Sequence, residues 1–280
     1  MEHHMNSLGT AKITLNNGTS MPVFGLGVFL AKDGDETRYA VTEALKAGYR
    51  HIDTAAVYNN ERSVGKAVRE SRIPREDLFI TTKLWNKDIR NHRVKEALHR
   101  SLDNLKMDYV DLYLVHWPIE NRVSSVWPEM EELYKEGRVK AVGVSNYHIH
   151  HLNELLPAAD IVPAVNQVEC HPYLQQRELR SFCAEKGIVF ESWGPLMQGH
   201  FLKVREILDI AEKYKRTPAQ ITLRWGLQNN IVLIPKSVKK DRIISNADIF
   251  SFELSEDDME TLNCLDRNQR MGPDPDNFNF

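Results

Sequence analysis

The chain has few cysteines, no long apolar run and no excess of charge of either sign. Its 280 residues include three cysteines, Cys170, Cys183 and Cys264, with no CxxC pair and an odd total. A disulfide framework or zinc knuckle is excluded by that spacing, and a reducing, cytoplasmic setting is the plain expectation. No stretch is apolar for long enough to span a bilayer. The opening Met1-Glu2-His3-His4-Met5 lacks the apolar centre of a secretory signal, and residues 1–10 read as a flexible N-terminus. Basic and acidic residues number 36 and 39, interspersed, for a net charge of −3. Without a basic block, nucleic acid and anionic membrane are poor partners. The Gly-rich dinucleotide turn of a doubly wound sheet is also missing, because Gly25-Leu26-Gly27 has no third glycine in register.

What is present is a regular alternation. Hydrophobic residues make up 42% of the chain, ample for a core. Asn16-Asn17-Gly18-Thr19 between two short apolar segments marks a hairpin. Apolar runs then alternate with amphipathic stretches: strands at 23–26, 50–53, 78–83, 110–116, 139–144, 164–168, 188–192 and 231–234. Helical patterns follow them at 36–47, 61–71, 92–105, 126–137, 148–156, 176–186, 204–214, 218–228, 240–248 and 256–265. The strands are almost continuously apolar, as strands buried on both faces must be. Eight such units predict an α/β chain forming a single (β/α)8 TIM barrel with an N-terminal β-hairpin, one domain over residues 1–280. The Pro- and Asp-rich end, 272–280, predicts a non-helical tail.

Four chemically active side chains stand at or just past strand ends. Asp53, Lys83 and His116 each close an apolar run, and Tyr58 lies five residues after Asp53. In a parallel barrel these ends share one mouth, where active sites form. Singly, each has an ordinary structural reading: a cap, a solvated cation, a packed ring or a core histidine. Together, a carboxylate, a phenol, an amine and an imidazole can polarise and protonate a carbonyl.

Several segments carry a specific resemblance. Gly48-Tyr49-Arg50-His51-Ile52-Asp53-Thr54-Ala55-Ala56-Val57-Tyr58 resembles a signature of the aldo-keto reductase family. Thr82-Lys83-Leu84-Trp85, His116-Trp117-Pro118, Gly143-Val144-Ser145-Asn146, Val165-Asn166-Gln167 and Ile234-Pro235-Lys236-Ser237 follow in the family's order. Trp193-Gly194-Pro195-Leu196 and the closing Gly272-Pro273-Asp274-Pro275 resemble the short bacterial-type reductases related to prostaglandin F synthase.

The resemblance implies NADPH-dependent reduction of aldehydes and ketones, with Tyr58 as general acid and Asp53, Lys83 and His116 completing the set. A free phenol has a pKa of about 10, and a neighbouring Lys83 ammonium is expected to lower that of Tyr58. A nicotinamide cofactor must supply the hydride, since no side chain can. The family pattern places Ser145, Asn146 and Gln167 on its carboxamide and Trp193 on its ring. Gly27, Val28, Phe29, Asp53, Gly194, Pro195 and Leu196 are further cofactor positions. Lys236 and Arg242 match the pair that grips the adenosine 2′-phosphate, with Ser237, Val238 and Asn246 in the same pocket. Ser245 stands where several relatives have a Glu against adenine. Phe29, Trp85, His116 and Trp117 would shape the substrate side, which suits an apolar or aromatic carbonyl compound.

Two rival readings accompany this one. His51-x-Asp53 with His116 offers the ligands of a metal-dependent barrel hydrolase. A barrel of the same family can also serve as a cofactor-binding regulatory subunit of potassium channels. The favoured reading is a monomeric cytoplasmic reductase acting on a small molecule, with no metal.

Overall fold

The computed structural model describes residues 8–280; the first seven residues of the expected flexible N-terminus lie outside the described residues. The hairpin forms as expected: β1 (Lys12–Thr14) and β2 (Ser20–Pro22) pair antiparallel, Ile13 opposite Met21. Gly18 turns the chain at φ 84°, a left-handed geometry in which glycine escapes the Cβ clash.

The main chain then alternates strand and helix. It runs β3 (Leu26–Gly27), α1 (Asp35–Lys46), β4 (His51–Asp53), α2 (Glu61–Ser71) and β5 (Phe79–Leu84). Next come α3 (Asn86–Arg90), α4 (Val94–Leu105), β6 (Val110–Val115), α5 (Trp127–Lys135) and β7 (Val139–Ser145). They are followed by α6 (Ile149–Leu155), β8 (Val165–Glu169), α7 (Arg177–Glu185) and β9 (Val189–Trp193). The series ends with α8 (Arg205–Tyr214), α9 (Pro218–Gln228), β10 (Val232–Leu233), α10 (Lys240–Ala247) and α11 (Glu256–Asn263). Strands β3 to β10 form one parallel sheet in sequence order. The sheet closes on itself: Gly25 N donates to Leu233 O at 2.8 Å, and Leu233 N to Val23 O at 3.0 Å. At this seam a Cβ on Gly27 would sit 2.9 Å from Ile234 O, so the closure itself demands glycine. The result is the expected (β/α)8 barrel.

Helix boundaries follow local chemistry. Thr217 caps α9, its Oγ1 accepting from Gln220 N while Gln220 Oε1 accepts from Thr217 N, with Pro218 at the first helical position. Helix α2 matches the sequence expectation residue for residue. Three details differ. The first barrel strand lies at Leu26–Gly27, displaced from 23–26 because residues 23–25 form the seam with β10. Helix α3 was not foreseen; five residues are too few to show a helical period. Between β9 and α8 a 3-10 stretch, Met197–Lys203, is kinked at Gln198 and Gly199, both at positive φ.

Two apolar layers hold the barrel. The outer one lies between strands and helices. The inner one fills the end nearest the hairpin with Leu15, Met21, Phe79, Leu112, Ala141, Val165 and Val232, all buried. Moving two residues along a strand keeps the same face. Two residues past Phe79 and Val165, toward the other mouth, stand Thr81 and Gln167.

Candidate active site

Asp53 ends β4 and Lys83 lies near the end of β5, both buried. Lys83 Nζ donates to Asp53 Oδ1 at 2.6 Å and to Thr54 O at 2.9 Å. Burial opposes both charges: for Lys83 it is outweighed by attraction to Asp53, and the ammonium is held above the usual lysine range, whereas for Asp53 burial outweighs the Lys83 charge and lifts the carboxyl above the ordinary aspartate range. Asp53 Oδ2 accepts a second hydrogen bond, from Gln167 Nε2 at 2.8 Å. A buried ion pair persists only when its remaining valences are satisfied in this way.

Tyr58 is presented by a 3-10 turn, Ala56–Tyr58, that ends with Asn59 in the left-handed region. Buried Asn60 anchors that loop: it accepts from Thr54 Oγ1 at 2.8 Å and donates to Val28 O and Ala31 O. The Lys83 ammonium lies 5.1 Å from the centre of the Tyr58 ring, and the His116 ring lies 5.7 Å from it on centres. The carboxylate, ammonium, phenol and imidazole thus share one mouth, as the strand ends implied.

One expectation about this group is overturned. Lys83 does pull the Tyr58 phenol down, but burial pushes it up more strongly and Asp53 adds to the rise. The net direction is upward, so the phenol is protonated at neutral pH. His116 is held well below the ordinary histidine range by burial and by the Lys83 charge, and its ring is neutral.

The sequence reading missed Glu191. It sits on β9 inside the barrel, fully buried, and Gln167 Nε2 donates to its Oε2 at 2.8 Å. Burial first, and then the Asp53 charge, raise its pKa to about 8. The signal was visible: a carboxylic acid inside the apolar run Ile188-Val189-Phe190-Glu191.

The expected carboxamide residues cluster but are partly engaged. Ser145 Oγ donates to Gln167 O at 2.7 Å. Asn146 Nδ2 donates to His116 O and Ser145 Oγ, and Asn146 Oδ1 accepts from Trp193 Nε1 at 2.8 Å. Gly272 of the tail lies against the Trp193 ring, where a Cβ would come within 2.4 Å of Cη2. Gly194, at φ 64°, Pro195 and Leu196 continue from Trp193 into the kinked stretch.

After β10, Lys236 and Arg242 are exposed and, among the described residues, neither is in an ion pair. Nearby Lys240 is committed to Glu43 at 2.9 Å. Ser237 and Asn246 are buried, and Val238 and Ser245 are half-buried. Unspent cations over such a pocket fit a phosphate.

On the substrate side, exposed Phe29 packs on Tyr58 with ring centres 5.0 Å apart. Trp85 lies 5.2 Å from His116. The tail supplies two aromatics the sequence reading did not place here. Phe280 stacks on Trp85 at 5.7 Å and 8°, and Phe278 and Phe280 both meet Trp117. Phe280 O accepts from Asn86 Nδ2 and Arg90 Nη2.

The metal-hydrolase alternative fails on geometry. His51 Nε2 faces Thr81 Oγ1 at 3.1 Å, and among the described residues His51, Asp53 and His116 form no ligand cluster.

Fold and site together define a carbonyl-reducing barrel, and comparison with known proteins agrees. The aldo/keto reductase family model matches residues 23–267. A glyoxal reductase of Bacillus subtilis is 50% identical over 268 residues, covering 96% of this chain and 97% of its own. A methylglyoxal reductase of Escherichia coli K12 is 47% identical over 270 residues, covering 95% and 97%. A crystal structure of an aldo-keto reductase from a Medee basin deep-sea metagenome library superposes with a TM-score of 0.93, at 43% identity over 96% of this chain and 100% of that one. The chain belongs to the aldo/keto reductase family. It is an oxidoreductase that reduces carbonyl compounds with NADPH.

Proposed function

We propose that this enzyme reduces small aldehydes and ketones, 2-oxoaldehydes among them, with Tyr58 as the proton donor. The observation that carries this reading is the buried Lys83–Asp53 pair at 2.6 Å beneath a protonated Tyr58. When bound, NADPH supplies the hydride. As negative charge gathers on the carbonyl oxygen, Tyr58 Oη passes its proton to it. Lys83 stabilises the phenolate left behind, and Asp53 and Thr54 hold Lys83 in place. Neutral His116 retains an N–H with which to orient the carbonyl oxygen. The raised phenol pKa keeps the acid loaded at neutral pH.

Lys236 and Arg242 would hold the 2′-phosphate, with Ser237, Val238 and Asn246 around the adenosine and Gly27, Val28 and Phe29 beside the nicotinamide end. Ser145, Asn146 and Gln167 would face the carboxamide. The Asn146 and Gln167 amide nitrogens are already engaged and Asn146 Oδ1 accepts from Trp193 Nε1, so Gln167 would meet it mainly through Oε1. Trp193, fixed by Asn146, would pack on the nicotinamide ring. Phe29, Trp85 and Trp117 would flank the substrate. We take residues 1–280 as one domain acting as a monomer. Three free cysteines, two of them buried, favour a cytoplasmic setting, and among the described residues no helix is long and apolar enough to cross a membrane.

The test is consumption of NADPH and of NADH against glyoxal, methylglyoxal, simple aldehydes, ketones and quinones. Turnover of 2-oxoaldehydes and aldehydes with clear preference for NADPH is expected. Activity restricted to quinones, or equal use of NADH, would contradict the reading.

A further inference from the structure

Three histidines at the start of α6 take no part in the reduction. They gather around Asp276 of the tail. His148 Nδ1 is 2.9 Å from Asp276 Oδ2, His150 Nε2 is 3.1 Å from Oδ1, and His151 Nε2 is 3.6 Å from Oδ1. One ligand atom from each of the four lies within 4.8 Å of the others. The His150 and His151 ring centres are 3.9 Å apart. Crowding three imidazoles onto one carboxylate leaves more nitrogen donors than that carboxylate needs.

Hydrogen bonding sorts their roles. His151 Nδ1 accepts from His148 N at 3.1 Å, so its ring proton is on Nε2, directed at Asp276. That makes His151 a support for the carboxylate. His150, exposed at 63%, already directs Nε2 at Asp276 Oδ1. His148 Nε2 faces Arg270 Nη2 at 2.7 Å, leaving Nδ1 toward Asp276.

We propose that His148 Nδ1, His150 Nε2 and a carboxylate oxygen of Asp276 bind one divalent first-row transition ion, zinc or a close chemical neighbour, and that this ion fastens the C-terminal tail over the substrate mouth. Two imidazoles and a carboxylate suit zinc, nickel, cobalt or copper and disfavour magnesium or calcium. Zinc–nitrogen bonds of about 2.0–2.1 Å in a tetrahedron set ligand atoms roughly 3.3 Å apart. The shortest separations to Asp276, 2.9 Å from His148 Nδ1 to Oδ2 and 3.1 Å from His150 Nε2 to Oδ1, are of that order and run to the two different oxygens of its carboxylate. Water completes the coordination. On binding, the proton leaves His148 Nδ1 and Nε2 carries the N–H, so Arg270 must turn from it. Asp274 Oδ1, 3.9 Å from Arg270 Nε, and Glu169 Oε2, 4.0 Å from Nη1, are there to receive it.

The ion would join α6 to a tail whose last residues cover Trp85 and Trp117. Fastening Asp276 therefore restricts Phe278 and Phe280, two and four residues on.

The test uses the full chain with His3→Ala and His4→Ala, so that the N-terminal histidines bind nothing. Equilibrium dialysis against zinc is expected to give one ion per chain and none of comparable affinity with magnesium. His150→Ala and Asp276→Asn should each weaken zinc binding more than about tenfold; His151→Ala, removing a support, should cost about 10–100-fold. Zinc should also slow release of Phe280 by a metal-independent serine carboxypeptidase at least about threefold, and this protection should vanish in Asp276→Asn. Zinc binding that is absent, or indifferent to His150→Ala and Asp276→Asn, overturns the site. Bound zinc with unchanged Phe280 release overturns the fastening. Carbonyl reduction enters neither readout, so the outcome is separate from that of the proposed reaction.

Discussion

The two ends of the barrel interior are lined by the same strands yet hold opposite chemistry. Near the hairpin, Phe79 on β5, Val165 on β8 and Val189 on β9 meet Leu15, Met21 and Leu112 in an apolar layer. Two residues further along β8 and β9 the inward positions are Gln167 and Glu191, and four further along β5 is Lys83. Each pair of residues advances a strand by about 6.6 Å. Within one or two such steps the interior changes from packing to an ion pair and its hydrogen bonds. Packing at the lower end contributes stability without chemistry. At the upper end, ionisable groups are buried at a cost, offset for Lys83, Asp53 and Glu191 Oε2 by hydrogen-bonded partners, while His116 Nδ1 and Glu191 Oε1 have none among the described residues.

Substitutions can break this contrast at either end. Asp53→Ala strands a buried ammonium and should lower unfolding free energy by about 3–5 kcal/mol while removing most turnover. Denaturant unfolding that matches the parent would show that Lys83 does not depend on Asp53. Leu112→Ala opens a cavity in the lower layer and should cost about 2–5 kcal/mol. Turnover per folded molecule should stay near the parental value; a large loss would mean the two ends are not separable.

Glu191 sharpens the contrast through pH. Its folded pKa of about 8 stands above the ordinary 4.5. Between those values the folded protein keeps a proton that the unfolded chain has released, so stability falls as pH rises across that window. Glu191→Gln cannot ionise and should flatten that slope, an effect on the order of a few kcal/mol. Chemical denaturation at several pH values within that window reads it directly, and an unchanged slope would place the pH dependence elsewhere. The smallest effect lies on the rim. Changing Lys236 and Arg242 to Ala should weaken NADPH binding by about tenfold or more and leave NADH nearly unchanged, as cofactor titration would show. Equal loss for both cofactors would remove the phosphate role.

The sequence made the upper end legible where charge interrupts a pattern at its edge. Asp53, Lys83 and His116 each follow an apolar run, and the one-mouth geometry of a parallel barrel brings them together. Glu191 was passed over because it falls inside its run, where a strand with both faces buried shows no alternation to violate. The direction of the Tyr58 shift was misread for a related reason: a neighbouring ammonium is visible in sequence, but the degree of burial that outweighs it is not. The aromatic cover from Phe278 and Phe280 was out of reach. It joins residues 194 apart, Asn86 to Phe280, through a tail with no periodicity. The His148–Asp276 contact likewise spans 128 positions.

The role of Tyr58 is tested most directly by Tyr58→Phe, which removes one oxygen and leaves the ring packed against Phe29 and His116. NADPH affinity, read by fluorescence titration, should remain within a few-fold of the parent, while single-turnover reduction of methylglyoxal should fall by about 10²-fold or more. A variant that binds NADPH normally and reduces the aldehyde at the parental rate would contradict the assignment of the proton to this phenol.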